Sequence, residues 1–178
     1  MAAIEQIFEY SYPANGSPTQ VVIADIPQTY EHLEIIMYGK RAPGSYQSGE
    51  IKLLLNGSST NGHYYTELFQ AGSTAPQGTN SNATCMAGHN SNDSFNVQDG
   101  GSGGVWMIYS YSDSTHAKTC FFQGNRGGTP NNQYDAFLTG TNFRPYTPIT
   151  SITFTASTQT NYGGSKIWIN GWNEFANA

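Results

Sequence analysis

The chain has 178 residues, of which 11% are charged and 13% aromatic, and its formal net charge is −5. Disordered chains combine high charge with few aromatic residues, so this composition argues against disorder and is typical of an all-β domain. Phosphate binding requires clustered Lys and Arg. Because the seven basic residues are scattered, we expect no nucleic-acid partner.

No targeting or membrane segment is recognisable in the sequence. The N-terminus lacks a basic start followed by an apolar run, and no stretch approaches the roughly 18 apolar residues of a membrane span. The two cysteines, Cys85 and Cys120, are too few for a disulfide framework. We therefore expect one domain over residues 1–178, with no membrane partner.

Alternation of apolar and polar residues predicts five strands in the N-terminal half. It is clearest in the third, where Leu33, Ile35 and Met37 point one way. Pro27 cannot donate a ladder hydrogen bond and should end the second strand. Asn56-Gly57 is a turn signal, because both residues tolerate positive φ. The predicted strands are Ile4 to Tyr10, Thr19 to Ile26, Glu31 to Lys40, Glu50 to Leu55 and His63 to Gln70.

The segment from Ala71 to Gly104 is dominated by Gly, Ser, Thr and Asn. A structureless loop of this length is rare inside a compact domain. Two interpretations stay open for this long polar excursion. It is either a surface excursion pinned by Met86 and Phe95, with one or two short strands, or a binding loop ordered by a neighbouring subunit.

Five more strands are predicted in the C-terminal half. In the first of them Met107 alternates with Trp106 and Ile108, and we assign Met107 to the core face. A turn at Ser112 to Thr115 makes the second strand its hairpin partner, and a Gly-rich loop is expected from Gly124 to Asn132. The predicted strands are Val105 to Tyr111, Ala117 to Gln123, Tyr134 to Leu138, Ile149 to Ser157 and Lys166 to Trp172.

The strand pattern predicts the fold class and the core. No segment of useful length has a helical period, and short strands separated by turn signals are typical of a β-sandwich or barrel. We expect an all-β fold with two packed sheets. The apolar faces of the alternating runs place the core at Leu33, Ile35, Leu53, Leu55, Met107, Ile152, Phe154 and Ile167.

A search for catalytic, metal-binding and cofactor motifs identifies none. The glycines of Gly100 to Gly104 lack the Lys and the following helix of a phosphate-binding loop. Asn90 to Asp93 lacks the alternating acidic positions of a calcium loop, so we interpret it as polar loop. Cys85 and Cys120 are interpreted as small core residues. We therefore expect no catalytic, metal or cofactor-binding residues and no enzyme, and binding residues stay unassigned.

The four histidines are isolated from one another and lack metal-ligand spacing. One of them, His32, lies between Glu31 and Glu34, but on a strand Glu31 points to the opposite face. We interpret His32 as part of a solvated strand face. The four are His32, His63, His89 and His116.

Seven aromatic residues could stack on sugar rings. Aromatic residues are also ordinary residues of sheets and of subunit interfaces. We favour a core or interface role over a ligand platform for these seven. They are Tyr64, Tyr65, Trp106, Tyr109, Tyr111, Trp168 and Trp172.

Three stretches of the sequence carry a resemblance to a known family. The second runs from Val105 to Tyr111, followed by Lys118-Thr119, and the third from Ile149 to Phe154 and from Gly164 to Gly171. The first and most specific is Ile26-Pro27-Gln28-Thr29-Tyr30-Glu31-His32-Leu33-Glu34-Ile35. With these three stretches in this order and spacing, which covers most of the chain, the sequence resembles small virion proteins of tailed bacteriophages. It departs from their pattern at Ser110 and Ser112, where acidic or amide residues are more usual.

The resemblance implies a jelly-roll β-sandwich of two antiparallel sheets that serves as a virion structural protein. We expect a capsid decoration (cement) protein that binds the major capsid protein on the outer capsid surface, after synthesis in the host cytoplasm. Closed threefold contacts suit such a lattice, so we expect a homotrimer. The segment 71–104 is the expected arm toward a neighbour.

Two alternatives stay open. The first is a receptor- or carbohydrate-binding tip of a tail fibre, with a glycan as ligand, although the sequence has no coiled-coil shaft. The second and weaker one is a carbohydrate-binding module of an enzyme, although no catalytic partner domain is present in the sequence.

Overall fold

The computed structural model describes residues 4–13, 20–39, 49–57, 63–71, 77–83, 95–97, 102–126, 135–156 and 164–174. This part of the chain contains strands and no helix, so none of its elements is a helix that could cross a membrane. The strands are β1 (Glu5–Ser11), β2 (Gln20–Ile23), β3 (His32–Gly39), β4 (Gly49–Leu55), β5 (His63–Ala71), β6 (Gln77–Ala83), β7 (Phe95–Val97), β8 (Ser102–Tyr109), β9 (Lys118–Arg126), β10 (Asp135–Phe143), β11 (Ile152–Ala156) and β12 (Lys166–Trp172).

The described strands form two antiparallel sheets. The larger sheet has the order β1-β12-β3-β8-β9-β10-β5-β6, and the smaller has the order β2-β11-β4-β7. Neighbouring strands are antiparallel in both sheets. The prediction of an all-β fold built from two antiparallel sheets, as in a β-sandwich, is therefore confirmed.

The core lies between the sheets and takes alternate residues from each strand. Both the larger sheet and the smaller sheet contribute side chains that are at most 1% exposed. Seven of the eight predicted core residues belong to this set. They are Leu33, Ile35, Leu53, Leu55, Ile152, Phe154 and Ile167.

The assignment of Met107 to the core was wrong. In β8 the buried residues are Trp106, which is 1% exposed, and Ile108, while Met107 is half-buried on the other face. Trp106 packs on Phe122 of β9, with ring centroids 4.5 Å apart. The strand alternates as predicted, but the opposite set of residues faces the smaller sheet.

Cys120 of β9 lies on the same inward face and is 1% exposed. Its burial raises the pKa of the thiol to about 12. The thiol therefore stays protonated and unreactive at neutral pH, as expected for a cysteine that serves as a small core residue. Cys85 lies outside the described residues.

Several strand ends differ from the prediction. β2 ends at Ile23 because Asp25 has a left-handed backbone, with φ of 55°, which interrupts the ladder before Pro27. β9 continues to Arg126 and so includes Gly124, which was predicted to begin a Gly-rich loop, and the rest of that predicted loop, after Arg126, lies outside the described residues. β10 is longer than predicted and runs to Phe143, because buried hydroxyl residues such as Thr139 take inward positions that the apolar pattern does not mark.

The polar segment 71–104 contributes backbone to both sheets. β6 pairs with β5 at the edge of the larger sheet, and β7 pairs with β4 in the smaller one. The described part of the chain does not include Met86, Asn90 to Asp93, or the side chains of His63, Tyr64, Tyr65 and Phe95. The two interpretations of this segment therefore stay predictions.

Candidate functional site

The three stretches that carry the family resemblance meet at one end of the larger sheet. β3 begins at His32, β8 ends at Tyr109 and β12 ends at Trp172, and these strands are neighbours in the sheet. The backbone of Glu31, directly before β3, forms hydrogen bonds to residues at or just after the ends of the other two strands. Its N–H donates to the carbonyl of Trp172 at 3.2 Å, and its carbonyl accepts from the N–H of Tyr111 at 3.0 Å.

His32 is buried at this end of the sheet. The residue is 4% exposed because aromatic rings from both neighbouring strands cover it. Its ring centroid lies 4.1 Å from Trp172 and 5.5 Å from Tyr109. The prediction that His32 belongs to a solvated strand face was therefore wrong. An outward-pointing strand residue is solvated only where its cross-strand neighbours are small or polar, and here they are large.

The hydrogen bonding of His32 fixes its tautomer. The backbone N–H of Ser110 donates to His32 Nδ1 at 3.0 Å. A backbone N–H is always a donor, so Nδ1 must carry a lone pair, and in the neutral ring the proton is on Nε2. Ser110 can aim its N–H inward because it has a left-handed backbone, with φ of 55°, directly after β8.

Two carboxylates lie beside His32 Nε2. Glu174 Oε1 is 3.5 Å away and Glu31 Oε2 is 3.9 Å away. The carboxylate of Glu31 is itself held in place, because Oε2 accepts from the N–H of Glu174 at 2.8 Å. His32 Nε2 is buried and has no hydrogen-bond partner within the described part of the chain. The site therefore holds a buried, unsatisfied N–H donor next to two acceptors.

These groups line a cleft of about 350 Å³. Three of its lining residues are acidic, and Lys and Arg are absent from the described lining. The hydroxyl of Ser112 donates its proton to the carbonyl of Tyr30 at 2.9 Å, so toward the cleft Ser112 acts as a hydrogen-bond acceptor. The lining residues are Glu31, His32, Ser110, Ser112, Asp113 and Glu174. We call this the His32 cleft.

The third acidic residue of the cleft, Asp113, is used internally by the β8–β9 turn. Its Oδ1 accepts from the hydroxyl and N–H of Thr115, and its Oδ2 lies 2.8 Å from His116 Nδ1. The hydrogen bonds from Thr115, with the contribution of His116, hold the pKa of Asp113 well below its usual range. Lys118 Nζ closes the turn from inside by donating to the carbonyls of Asp113 and His116.

Tyr30, which directly precedes Glu31, packs on β12 at Gly171, on the face that buries Ile167 and Ile169. Its hydroxyl donates to Glu5 Oε2 at 2.6 Å, which fixes the ring across the end of β12. A Cβ at Gly171 would lie 2.4 Å from Tyr30 Cδ2 and 2.5 Å from Cγ. Only glycine therefore allows the ring to rest on β12, directly before Glu31 and His32 in the chain.

We expect Gly171→Ala to destabilise the fold by about 1–3 kcal/mol, the usual cost of overpacking. The clash is with the root of the Tyr30 ring, which cannot swing away without breaking its bond to Glu5. Urea unfolding monitored by tryptophan fluorescence measures the change. Gly140→Ala is the matched control, because a Cβ there meets nothing within 4 Å. Equal stability of the two variants would contradict the packing described above.

A second, shallower groove lies on the solvent face of the larger sheet. It has a volume of about 530 Å³ and is open at Gly140, whose missing side chain leaves a gap beside Phe121. Tyr109 borders this groove on one side and packs against His32 on the other. Neither concavity was predicted from the sequence, in which binding residues stayed unassigned.

The aromatic residues singled out in the sequence separate into two groups. Trp106 and Tyr111 are core, and the Tyr111 hydroxyl donates to the carbonyl of Pro27. Tyr109, Trp168 and Trp172 lie partly exposed on the solvent face. Of the histidines, His116 belongs to the β8–β9 turn and His89 lies outside the described residues.

The sequence pointed to the elements of the site but not to the site itself. Glu31-His32 lies in the most specific of the three stretches, yet Glu174 lies beyond the third of them. Among the described residues, no group of three His, Cys, Asp or Glu side chains could hold a metal ion. No protein-family model, curated protein or solved structure matches the chain.

Proposed function

We propose that the chain is a jelly-roll virion structural protein that decorates the outer surface of a bacteriophage capsid. The strand pairing supports the fold. β1 pairs with β12, β2 with β11, β3 with β8 and β4 with β7. This nested pairing is the one expected when a long antiparallel ribbon rolls into two sheets, and it therefore supports a jelly-roll topology.

The remaining strands widen one sheet. β9, β10, β5 and β6 continue the larger sheet beyond β8, whereas the smaller sheet keeps four strands. The larger sheet therefore presents a broad solvent face that a simple eight-stranded roll would lack. A broad, low-charge sheet face is suited to lying on another protein surface.

The apolar character of the solvent face of the larger sheet is the main support for the proposed capsid contact. Cross-strand register aligns two neighbouring rows of side chains on this face. Six of the ten residues are apolar, and the charge of Glu34 is tied to Asn170 Nδ2 at 2.8 Å. The rows are Trp168-Ile36-Val105-Gln123-Leu138 and Asn170-Glu34-Met107-Phe121-Gly140. Aromatic and apolar centres with few charges are typical of the core of a protein interface.

The partner we propose for this face is the major capsid protein, with three copies of the chain arranged around a threefold lattice site. A closed ring gives each copy an equivalent contact on the lattice. The segment 71–104 is proposed to reach a neighbouring copy. Each of these assignments rests on the family resemblance together with the character of the sheet face.

Binding to capsids tests the proposal directly. Purified protein should sediment with bacteriophage capsids that lack decoration, and light scattering should give three times the chain mass of 19.4 kDa. Leu138→Glu places a charge on the apolar rows at an exposed position and should weaken capsid binding about tenfold or more. Val22→Glu makes the same change on the smaller sheet, where the residue is also exposed, and should leave binding intact.

The second candidate function is the tip of a tail fibre. The His32 cleft favours it, because a concave polar site at one end of a sandwich can hold a small ligand. Location in the virion separates the two functions. A protein that ignores capsids and is found by cryo-electron microscopy at the tail would replace the decoration role with the tail-fibre role.

A further inference from the structure

We infer that the His32 cleft binds a neutral polyhydroxylated ligand, a sugar whose neighbouring ring hydroxyls bridge the N–H of His32 and the carboxylates of Glu31 and Glu174. His32 Nε2 is a buried donor of the cleft that the described part of the chain leaves without a hydrogen-bond partner. Such binding requires neither the capsid nor the tail location, because the cleft opens at the strand ends and not within the apolar rows.

A metal ion does not fit this donor set. A metal takes the lone pair of an imidazole nitrogen, and Nε2 has none available while Nδ1 accepts from Ser110. Freeing Nε2 would require the proton to move to Nδ1, where it would face the Ser110 N–H directly. The tautomer thus makes His32 a hydrogen-bond donor to whatever occupies the cleft.

Charged organic ligands fit poorly as well. An ammonium or guanidinium group would satisfy the carboxylates but would meet the Nε2–H with another donor. A phosphate or carboxylate could accept from Nε2–H but would be repelled by Glu31, Asp113 and Glu174. A hydroxyl group donates and accepts at once, so it satisfies the imidazole and a carboxylate together.

The position of Glu174 allows such a ligand to enter. Its carboxylate lies 3.5 Å from Nε2, too poorly aligned for a hydrogen bond, and its side chain is 75% exposed. An exposed side chain changes rotamer readily, so the carboxylate can move outward to admit a hydroxyl between itself and the N–H. Glu31 stays fixed by the Glu174 N–H and serves as the second acceptor.

The surroundings of His32 suit a sugar ring. Trp172 and Tyr109 both pack on the imidazole from the neighbouring strands, and they stand nearly perpendicular to each other with centroids 6.1 Å apart. Trp172 Nε1 is a second buried donor without a hydrogen-bond partner in the described part of the chain. Neither of these two aromatic rings lines the cleft, whose lining is polar and whose volume of about 350 Å³ is enough for one sugar unit.

Titration with methyl glycosides tests the inference. The methyl glycosides of glucose, galactose and mannose together present both equatorial–equatorial and axial–equatorial hydroxyl pairs. The probes are followed by the ¹⁵N resonance of His32 and the indole N–H resonance of Trp172 in the full chain. We expect at least one glycoside to shift both resonances saturably, with a Kd of about 1–10 mM, typical of a single sugar unit with few contacts.

Two variants and a control decide the result. Glu174→Ala removes an exposed acceptor without touching the core, and it should weaken binding about tenfold or more. His32→Phe keeps the ring packing but deletes the N–H, and it should abolish binding. Glu9→Ala removes a carboxylate from the edge strand β1 that faces Lys166 and does not line the cleft, and this variant should bind like the parent.

Three outcomes would overturn the inference. The first is the absence of a saturable shift with all three glycosides. The second is a shift that Glu174→Ala leaves unchanged, since the ligand would then bind elsewhere. The third is a saturable response to butylammonium without any response to the glycosides, which would make the His32 cleft a receptor for a cationic side chain.

Discussion

A Trp106→Ala protein is expected to lose about 3–5 kcal/mol of unfolding free energy, the range measured for large aromatic residues truncated in a core. Trp106 is 1% exposed and packs on Phe122 with centroids 4.5 Å apart. Removing the indole leaves a cavity between two sheets whose hydrogen-bonded strands cannot collapse into it. Urea unfolding followed by circular dichroism measures the loss without relying on tryptophan emission.

Met107→Ala is the neighbouring control and should cost less than about 1.5 kcal/mol, because Met107 is half-buried on the solvent face. The two substitutions sit side by side on β8 and report opposite faces of one strand. If Met107→Ala were the more damaging of the two, β8 would face the smaller sheet with its other side, and the register of the whole face would be inverted. If Trp106→Ala does not fold, Ile108→Val gives a milder inward probe, expected to cost about 0.5–1.5 kcal/mol.

The wrong assignment of Met107 has a physical reason. Alternation identifies a strand and tells which residues share a face, but it does not tell which face is inward when both are apolar. In β3 the outward residues include Glu34, so the direction of Leu33 and Ile35 was predictable. In β8 both faces are apolar, because the solvent face of the larger sheet is itself apolar.

The same property limits how much of the site could be predicted. The strands that build it were found from the sequence, and β12 was predicted with its observed ends. The burial of His32 depends on Trp172 and Tyr109, which reach it only through cross-strand pairing over more than 70 residues of chain. Its tautomer depends on the left-handed backbone of Ser110, which no residue preference for serine signals.

The turn at Asn56-Gly57 could be predicted from its residue types, whereas its tertiary contacts could not. Asn56-Gly57 was recognised as a turn, and both residues do adopt positive φ, of 52° and 62°. What the sequence could not show is that the Asn56 side chain reaches the segment before β11, more than 90 positions away. The residue types specify the turn, and the pairing of β4 with β11 brings the segment before β11 within reach of the Asn56 side chain.

Asn56→Ala is expected to destabilise the protein by about 4 kcal/mol, although Asn56 lies near the surface. Its Oδ1 accepts from the N–H of Thr150 at 2.8 Å and of Ser151 at 3.2 Å, and its Nδ2 donates to the carbonyl of Pro148 at 2.9 Å. Each hydrogen bond contributes about 1 kcal/mol net. Alanine also pays about 1 kcal/mol or more for the left-handed backbone that asparagine tolerates.

Asn56→Gly separates the two contributions, because glycine keeps the positive φ without strain but loses the hydrogen bonds of the asparagine side chain. We expect it to cost about 3 kcal/mol, so that the difference from Asn56→Ala reports the backbone alone. Asn142→Ala, at an exposed position of β10, is the control and should stay within about 0.5 kcal/mol of the parent. All four proteins are compared by urea unfolding at one pH. If Asn56→Ala and Asn142→Ala unfold at the same urea concentration, Asn56 does not hold the 148–151 segment to the end of β4. The inward placement of Ile149 and Ile152 would then rest on their own packing in the core.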